Sequence, residues 1–233
     1  MYNILICDDE VDIVSALEIY LSTEGYTVFR AYNGTEALDV ISKNDIHLVL
    51  LDIMMPVKNG IETVRELRRT SNIPVIMITA KSEDSDKILG LDLGADDYIT
   101  KPFNPMEVKA RVRSQLRRYM QLGGGAGMET KHIHTVGGIV LDEHAHSVTL
   151  DGEPVALTPT QYEILKYFMQ NTDRILSPAE IYREVWGESP FGAESTVAVH
   201  IRHLREKLEI NPSDPRYFRV VWGHGYLMSK DRK

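Results

Sequence analysis

The segment IHLVLLD, residues 46–52, is an apolar run that ends on Asp52, and it decides the fold predicted for the first half of the chain. Such a run, without polar alternation, is typical of a strand buried on both faces of a parallel sheet. Other apolar runs end on Asp8 and Asp9, on Thr79 and on Lys101. Because the carboxyl ends of parallel strands meet at one edge of an open α/β sheet, we expect these five side chains to converge there.

Strand-like and helix-like stretches alternate around this segment as far as residue 119. Five apolar runs, near 3–7, 27–29, 47–51, 74–79 and 98–100, are separated and followed by helical patterns near 11–24, 35–43, 60–69, 84–93 and 105–119. Five βα repeats predict an α/β domain over residues 1–119, built on a five-stranded parallel (βα)5 sheet of the flavodoxin-like type with helices on both faces.

The pattern changes after residue 119. The stretch GGGAG at 123–127 has no core-forming side chains, so residues 120–136 are predicted to be a flexible linker. Short strands are then predicted at 138–141, 146–150 and 153–156, three helices near 159–170, 178–186 and 195–209, and a closing hairpin at 217–222 and 225–228. This order predicts an α+β winged helix-turn-helix domain over residues 137–233.

Composition excludes some classes of protein. Hydrophobic residues make up 43% and charged residues 26% of the 233 residues, which is ordinary for a globular protein. No apolar stretch approaches the ~18 residues of a membrane span, and the N-terminus enters a strand without a signal-like segment. The single Cys7 lies within an apolar run and is expected to be a small buried side chain. A cytoplasmic location is therefore expected.

Charge is distributed unevenly along the chain. The formal net charge is −8, which taken alone argues against a nucleic-acid partner. Residues 195–233, however, hold eight Lys and Arg against four Asp and Glu, a net of +4. A basic C-terminal part in an acidic protein indicates a local phosphate-binding surface.

The carboxylates expected at the sheet edge indicate phosphoryl transfer. Three clustered carboxylates repel one another and call for a hard divalent cation. We predict that Asp52, at the end of the central strand, is the phosphoacceptor nucleophile. Asp9 is predicted to bind Mg²⁺ directly, with Asp8 assisting, and the carbonyl of Met54 is a further candidate ligand.

Two further side chains are predicted to contact the phosphoryl group. Lys101 would pair with its oxygens, and the hydroxyl of Thr79 would donate a hydrogen bond to one of them. Pro102 follows Lys101, and a cis Lys101–Pro102 bond would set the direction of the lysine. Polar residues often end strands and cap helices, but five of them in this order favour a site.

The motifs at these positions resemble a known family. DDE at 8–10, DIMMP at 52–56 with Gly60, TA at 79–80, GADDY at 94–98 and KPF at 101–103 are similar to the receiver domain of bacterial two-component response regulators. The resemblance implies that the phosphohistidine of a sensor histidine kinase phosphorylates Asp52 in the presence of Mg²⁺, and that the domain dephosphorylates itself. It also implies that Thr79 and Tyr98 are coupled switch residues.

The resemblance to the OmpR/PhoB subfamily implies a symmetric receiver dimer formed on phosphorylation. The implied salt bridges between the two copies are Lys87–Glu107, Asp97–Arg111 and Asp96–Arg118, around an apolar patch matched by Ile88, Leu91 and Ala110. The alternative is a solvated charged face, whose pairs contribute only ~0–1 kcal/mol each. Six charges of matching sign favour the dimer.

The predicted helix near 195–209 has two distinct faces. A core stripe is expected at Val197, Ile201, Leu204 and Leu208. The opposite face carries Ser195, Val199, Arg202, His203 and Glu206, with Thr196, His200 and Arg205 at its flanks. An exposed face with Arg and His suits the major groove of DNA, where Arg can bind guanine.

The second half also resembles the OmpR/PhoB output domain. The matching segments are LTPTQYEIL at 157–165, VWG at 185–187, VAVHIRHLR at 197–205 and GHGY at 223–226. The likeness implies a recognition helix in the major groove of double-stranded DNA and a wing near 217–228 along the minor groove. It implies phosphate contacts at Trp186, Thr196, His200 and Tyr226, and an RNA polymerase contact through 187–194.

Two departures from the output family concern the DNA contacts. His203 and Trp222 stand where the family often has Arg. A neutral imidazole and an indole make fewer charged contacts, so the base preference and salt dependence of relatives do not carry over.

Together these features predict a response regulator and DNA-binding transcription factor. Two alternative functions are also compatible with the sequence. One is an enzyme with an aspartyl-phosphate intermediate, which usually needs a second Asp where Met54 stands. The other is a DNA-binding regulator that acts without phosphorylation and uses its receiver only as a dimerisation module.

Overall fold

The computed structural model describes residues 2–80, 94–121, 133–187 and 193–229. The chain forms two compact units, Met1–Tyr119 and Met120–Lys233. The helix predicted at 84–93 and the glycine-rich stretch at 123–127 lie outside the described residues. Within the described ranges, no helix is long and apolar enough to span a membrane.

The first unit contains a five-stranded, wholly parallel sheet in the order β2-β1-β3-β4-β5. Its strands are β1 (Asn3–Cys7), β2 (Thr27–Ala31), β3 (Leu48–Asp52), β4 (Val75–Ala80) and β5 (Asp97–Lys101). The described helices are α1 (Val11–Ser22), α2 (Gly34–Lys43), α3 (Gly60–Leu67) and α4 (Pro105–Gln121). The predicted α/β fold class is confirmed, and the strand order is that of flavodoxin-like sheets.

Buried apolar side chains on both faces of the sheet explain the continuous apolar runs. Every residue of β3 is buried, and β1 is buried from Ile4 to Cys7. Helices α2 and α3 begin at capping asparagines. The side chain of Asn33 accepts hydrogen bonds from the backbone N–H groups of Thr35 and Glu36, which opens α2. Cys7 is fully buried as expected, and burial raises the pKa of its thiol.

An internal ion pair ties the amino ends of the last two strands to α3. Arg68, directly after α3, donates through Nη2 to Asp96 Oδ2 at 2.9 Å and through Nε to the carbonyl of Gly94 at 2.8 Å. Asp96 Oδ2 also accepts from the backbone N–H of Val75 at 3.0 Å. Because Asp96 is fully buried, this carboxylate has a structural role inside its own unit.

In its described residues, the second unit combines two antiparallel sheets with three helices. The first sheet has the order β6-β7-β8-β9 and the second the order β10-β12-β11. The strands of the first sheet are β6 (Ile133–Val136), β7 (Ile139–Asp142), β8 (Ser147–Leu150) and β9 (Glu153–Pro154). Those of the second sheet are β10 (Ile175–Leu176), β11 (Phe218–Val221) and β12 (Gly225–Met228). The helices are α5 (Pro159–Gln170), α6 (Pro178–Trp186) and α7 (Ala193–Leu208). This is the predicted winged-helix arrangement.

Two short strands of this unit differ from the sequence prediction. Residues 133–136, which we assigned to the linker, form β6, because Val136 pairs with Ile139 of β7 across a turn at Gly137, where φ is +58°. Strand β10 was not predicted. Its two residues, Ile175 and Leu176, pair with β12. Neither strand is long enough to show a sequence period, and both depend on their partners for backbone hydrogen bonds.

A buried carboxylate fastens the end of α7 to the start of the wing hairpin, β11 and β12. Glu209 accepts three backbone hydrogen bonds, from the N–H groups of Arg216 at 2.7 Å, Tyr217 at 2.6 Å and Phe218 at 2.9 Å. Hydrogen bonds to a charged acceptor contribute more than neutral ones. Glu209 therefore sets where β11 begins relative to α7.

We expect Glu209→Ala to lower the free energy of unfolding of the second unit by about 2–4 kcal/mol, because two buried N–H groups and one partly buried N–H group lose their acceptor. Glu209→Gln keeps one acceptor oxygen and should cost less. Both tryptophans lie in this unit, so urea unfolding followed by tryptophan fluorescence measures it. Equal stability of Glu209→Ala and the wild type would contradict this role.

Candidate functional site

The parallel register brings the predicted site residues to one edge of the sheet. Cys7 pairs with Leu51, so Asp8 and Asp52 follow at the same level on neighbouring strands. Asp52 pairs with Ile78, one residue before Thr79, and Ala80 pairs with Lys101 on β5. The carboxyl ends of β1, β3, β4 and β5 therefore carry all the predicted polar groups.

Lys101 is the centre of the ionic contacts at this edge. Its Nζ lies 2.9 Å from Asp8 Oδ2, 2.9 Å from Asp52 Oδ1 and 3.1 Å from Glu10 Oε1. The peptide bond between Lys101 and Pro102 is cis. Glu10 was not among the predicted site residues, although its place directly after Asp8 and Asp9 was a signal that could have found it.

The carboxylates form a cluster of hard oxygen donors. One oxygen of each of Asp8, Asp9 and Asp52 lies within 4.8 Å of the others. Asp8 and Asp52 are buried, whereas Asp9 is exposed to solvent. This donor set fits a divalent cation that prefers oxygen ligands. The backbone N–H of Met54 donates to Asp52 Oδ2 at 2.8 Å, which holds the carboxylate beside the predicted ligand Met54.

The pKa shifts at the site show that placing these charges close together is unfavourable. Burial raises the pKa of Asp52 to about 6, with a further contribution from the charge of Asp8, while Lys101 opposes the shift. Burial likewise raises the pKa of Asp8. Burial disfavours the ammonium of Lys101, but its hydrogen bonds with Asp8 and Asp52 outweigh this and raise its pKa. A bound cation would relieve the same repulsion.

The loop after Asp52 is shaped by a close backbone approach. A Cβ on Gly60 would lie 2.1 Å from the carbonyl oxygen of Asp52, so only glycine fits this position. The N–H of Gly60 donates to the carbonyl of Ile53 at 3.0 Å, and Asn59 caps α3 through the N–H of Glu62. These contacts hold the backbone around Asp52 in place.

The two predicted switch residues lie on adjacent strands. Thr79 is buried at the end of β4, at the same sheet edge as Asp52. Tyr98 is half-buried on β5, where it pairs with Met77. Tyr98 is the second residue of β5, whereas Lys101 is the last residue of that strand. Its coupling to Thr79 stays a prediction.

The charges predicted to pair between two receivers are largely engaged within one chain. Arg111 Nη1 donates to both carboxylate oxygens of Asp97 at 2.9 Å, and Arg111 Nε donates to Glu107 Oε1 at 3.0 Å. Asp96 does not fit the predicted interface, because it is fully buried and bound to Arg68. Ala110 is exposed on α4, whereas Lys87, Ile88, Leu91 and the side chain of Arg118 lie outside the described residues.

The predicted core stripe of α7 is correct, but its exposed face is narrower than the helical projection implied. Val197, Ile201, Leu204 and Leu208 are all buried. On the opposite face, Ser195, Arg202 and Glu206 are exposed, whereas Val199 and His203 are only 7% exposed each. A helical projection counts positions around one axis and cannot show how many sides of the helix other residues cover.

Three residues predicted to touch DNA phosphates are core residues here. Trp186 stacks on Tyr182 with ring centroids 4.7 Å apart, and its ring lies 5.6 Å from that of His200. Trp186, Thr196 and His200 are each no more than 1% exposed. They pack α6 against α7, so their effect on DNA binding would come through the placement of the helix.

Arg205 also differs from its predicted role. Its Nε and Nη2 donate to the carbonyl of Phe218 at 3.0 and 2.7 Å, so it joins α7 to β11. Of the predicted DNA contacts, Arg202 and Trp222 are exposed, and Tyr226 is half-buried on β12. The Nε of Arg202 lies 3.4 Å from Glu206 Oε1.

Comparisons with known proteins agree with this architecture. Residues 4–113 match the response regulator receiver domain family, and residues 152–228 match the family described as transcriptional regulatory protein, C terminal. The regulatory protein VanR of Enterococcus faecium is 42% identical over 229 residues, covering 98% of this chain and 99% of VanR. VanRc of Enterococcus gallinarum is 41% identical over 228 residues, with the same coverage of both chains.

Two solved structures that match over nearly all of this chain give the same result. DrrB of Thermotoga maritima, an OmpR/PhoB homolog, is 30% identical with a TM-score of 0.51, covering 98% of this chain and 99% of DrrB. A mutant form of RitR is 25% identical with a TM-score of 0.75 and the same coverage.

The chain therefore belongs to the response regulators of the OmpR/PhoB family. It is a transcription regulator with a receiver domain followed by a DNA-binding domain.

In metal-free protein, we expect Asp52→Asn to raise the free energy of unfolding at pH 7 by about 1–3 kcal/mol. The folded-state pKa of about 6 lies above the ordinary value of 3.8, so ionised Asp52 destabilises the fold as pH rises through this range. Each pKa unit corresponds to about 1.4 kcal/mol. Well below pH 3.8 the carboxyl is protonated in both states, and the gain should vanish.

Far-UV circular dichroism during urea unfolding with a chelator present measures this effect. Asp39→Asn is a matched control, because Asp39 is an exposed carboxylate paired with Lys43 on α2. Tryptophan fluorescence reports the other unit and should not change. A gain for Asp52→Asn that is the same at pH 4 and pH 7 would contradict the electrostatic origin.

Proposed function

We propose that Asp52 accepts a phosphoryl group from the phosphohistidine of a sensor histidine kinase and that phosphorylation drives receiver dimerisation and promoter binding. The observation that carries this proposal is the cluster of Asp8, Asp9 and Asp52 with Lys101 Nζ 2.9 Å from Asp52 Oδ1. The cluster offers a nucleophilic oxygen, ligands for a cation and a counter-charge for an incoming anion within one short edge of the sheet.

The transfer step uses few groups of the protein. An oxygen of Asp52 attacks phosphorus, the P–N bond of the phosphohistidine breaks, and the imidazole leaves with a proton from solvent. Asp8, Asp9, Asp52 and the Met54 carbonyl would hold Mg²⁺, which would supply positive charge to offset the charge on the phosphoryl oxygens. The hydroxyl of Thr79 donates a hydrogen bond to one of those oxygens.

Lys101 takes part by exchanging partners. In the unphosphorylated protein its ammonium neutralises Asp8 and Asp52. Once Asp52 carries a phosphoryl group, the ammonium pairs with a phosphoryl oxygen. Water can later attack phosphorus and restore the carboxylate, which makes transfer to Asp52 and hydrolysis from it the protein's own covalent chemistry.

Dimerisation would require a second exchange of ion pairs. Arg111 is bound to Asp97 and Glu107 within one chain, and the pair with Asp97 is buried. A symmetric dimer with Lys87–Glu107 and Asp97–Arg111 bridges would exchange the internal contacts of Arg111 for contacts between copies. The free energy that phosphorylation supplies would have to favour this exchange.

The dimer would present two winged-helix domains to double-stranded DNA. The exposed side of α7 carries Ser195 and Arg202, and residues 195–233 have a net charge of +4. These features support major-groove contact by α7 with the wing hairpin beside it. RNA polymerase is proposed as a further partner through residues 187–194, most of which lie outside the described ranges.

Asp52→Ala tests the phosphoswitch directly. Wild-type protein treated with a small-molecule phosphodonor and Mg²⁺ is expected to bind its promoter at least tenfold more tightly than untreated protein, because dimerisation links two DNA contacts. Asp52→Ala should show no gain. Promoter affinity measured with and without donor is the readout. Equal affinity of donor-treated and untreated wild type would favour a regulator that acts without phosphorylation.

A charge exchange tests the dimer interface. Glu107→Lys places two positive charges opposite each other in the proposed Lys87–Glu107 pair and should abolish donor-induced dimerisation. The double variant Lys87→Glu with Glu107→Lys restores opposite charges and should recover it. Sedimentation velocity with and without phosphodonor gives the dimer fraction. Unchanged dimerisation of Glu107→Lys would place the interface elsewhere.

A further inference from the structure

Helix α1 begins at a residue whose side chain does not cap it. Glu10 occupies the N-cap position of this helix, with φ −82° and ψ 101°, but its side chain makes no capping hydrogen bond to the first turn, all of which the structure describes. Helices α2 and α3 instead begin at Asn33 and Asn59, whose side chains accept hydrogen bonds from the N–H groups that follow. Asn, Asp, Ser and Thr are preferred at this position because their side chains can cap. The side chain of Glu10 is therefore available for a contact elsewhere.

The side chain of Glu10 contacts Lys101 at the edge of the sheet that carries Asp52. Glu10 Oε1 lies 3.1 Å from Lys101 Nζ, which also lies 2.9 Å from Asp8 Oδ2 and 2.9 Å from Asp52 Oδ1. The backbone N–H of Glu10 donates to Asp8 Oδ1 at 3.0 Å, so the main chain at this position is tied to the site. One ammonium is therefore shared by three carboxylates.

Glu10 differs from the two other carboxylates that bind Lys101. Among the described residues, the cluster that could hold a cation consists of Asp8, Asp9 and Asp52 and does not include Glu10. The side chain of Glu10 is 62% exposed, whereas those of Asp8 and Asp52 are 0% and 6% exposed. A buried carboxylate that loses its cationic partner is left with an uncompensated charge, but water solvates an exposed one. Glu10 is therefore the partner that can release the ammonium with the smallest rise in free energy.

We propose that Glu10 is a positioning residue that competes with the incoming phosphoryl group for the ammonium of Lys101. The inference rests on the proposed phosphorylation of Asp52, in which the same ammonium passes from carboxylates to a phosphoryl oxygen. Asp52 is needed as the nucleophile and Asp8 for the cation, whereas the charge of Glu10 has neither use. While Glu10 holds Lys101, it lowers the positive charge that an incoming anion meets. Glu10 thereby slows phosphorylation by small anionic phosphodonors.

Glu10→Gln removes the charge but keeps the length of the side chain and an acceptor oxygen. With the full-length protein and saturating Mg²⁺, acetyl phosphate serves as the donor: an oxygen of Asp52 attacks phosphorus, the P–O bond to the acetyl group breaks, and acetate leaves. At low ionic strength the rate constant of phosphorylation should rise about threefold to tenfold, because the anion meets an ammonium with one carboxylate fewer. At about 1 M salt the difference should fall to within about twofold. Intact-protein mass spectrometry gives the initial rates.

Binding of the cation provides a readout of opposite sign. Isothermal titration calorimetry with magnesium chloride alone measures the affinity of the full-length protein for Mg²⁺. Glu10→Gln should weaken this affinity about twofold to fivefold, because a nearby negative charge is lost and Lys101 is left to pair with Asp8 and Asp52. A variant that only loosened the local structure would instead slow phosphorylation and weaken Mg²⁺ binding together.

Asp12→Asn is the matched control for these measurements. Asp12 is an exposed carboxylate in the first turn of α1, so its substitution changes the net charge of the chain by the same amount, close to Glu10 in the sequence. The rate of phosphorylation and the affinity for Mg²⁺ should each stay within about twofold of the wild-type values.

The outcomes separate this competition from phosphorylation itself. If Glu10→Gln is phosphorylated no faster than the wild type at low salt, or if its gain persists undiminished at high salt, the competition is overturned while phosphorylation of Asp52 stands. An equal gain for Asp12→Asn would also overturn it, because net charge rather than the contact with Lys101 would then explain the rate. If acetyl phosphate phosphorylates neither the wild type nor Glu10→Gln, the proposed function itself fails.

Discussion

The structure of the receiver unit depends on one electrostatic constraint, the neutralisation of two buried carboxylates by Lys101. Asp8 and Asp52 lie on adjacent strands with their oxygens close together, and ionising both would be unfavourable without a cation. The ammonium supplies that charge at 2.9 Å from each. The two carboxylates can thus lie side by side in the unphosphorylated protein, and in the proposed mechanism the lysine changes partners when a phosphoryl group arrives.

The same principle operates at the other end of the sheet and on α4. Asp96 is satisfied by Arg68 and a backbone N–H, while Asp97 is satisfied by Arg111. Both aspartates are buried, and the side chains of their partners Arg68 and Arg111 are 12% and 10% exposed. The two ion pairs differ in that Arg111 also reaches the partly exposed Glu107.

In the DNA-binding unit, buried polar contacts position the surface that meets the ligand. Glu209 and Arg205 join α7 to the start of β11, and the stack of Trp186 on Tyr182 supports the contact between α6 and α7. Two of these side chains, Trp186 and Arg205, are ones that the sequence analysis assigned to DNA. Of the residues predicted to contact DNA, Arg202 and Trp222 are the ones that remain exposed, one a cation and the other an indole.

The sequence by itself determined the fold class, most strand and helix positions of both units, and the residues that meet at the edge of the sheet. It could do so because buried parallel strands need continuous apolar runs and because strand ends in such a sheet must converge. Only the tertiary structure decided which charges pair and which face of a helix stays open. It placed Asp96 with Arg68, Arg205 with Phe218 and His200 beside Trp186, and it formed β6 from residues assigned to the linker. These outcomes depend on distances between segments far apart in the chain, which local periodicity does not contain.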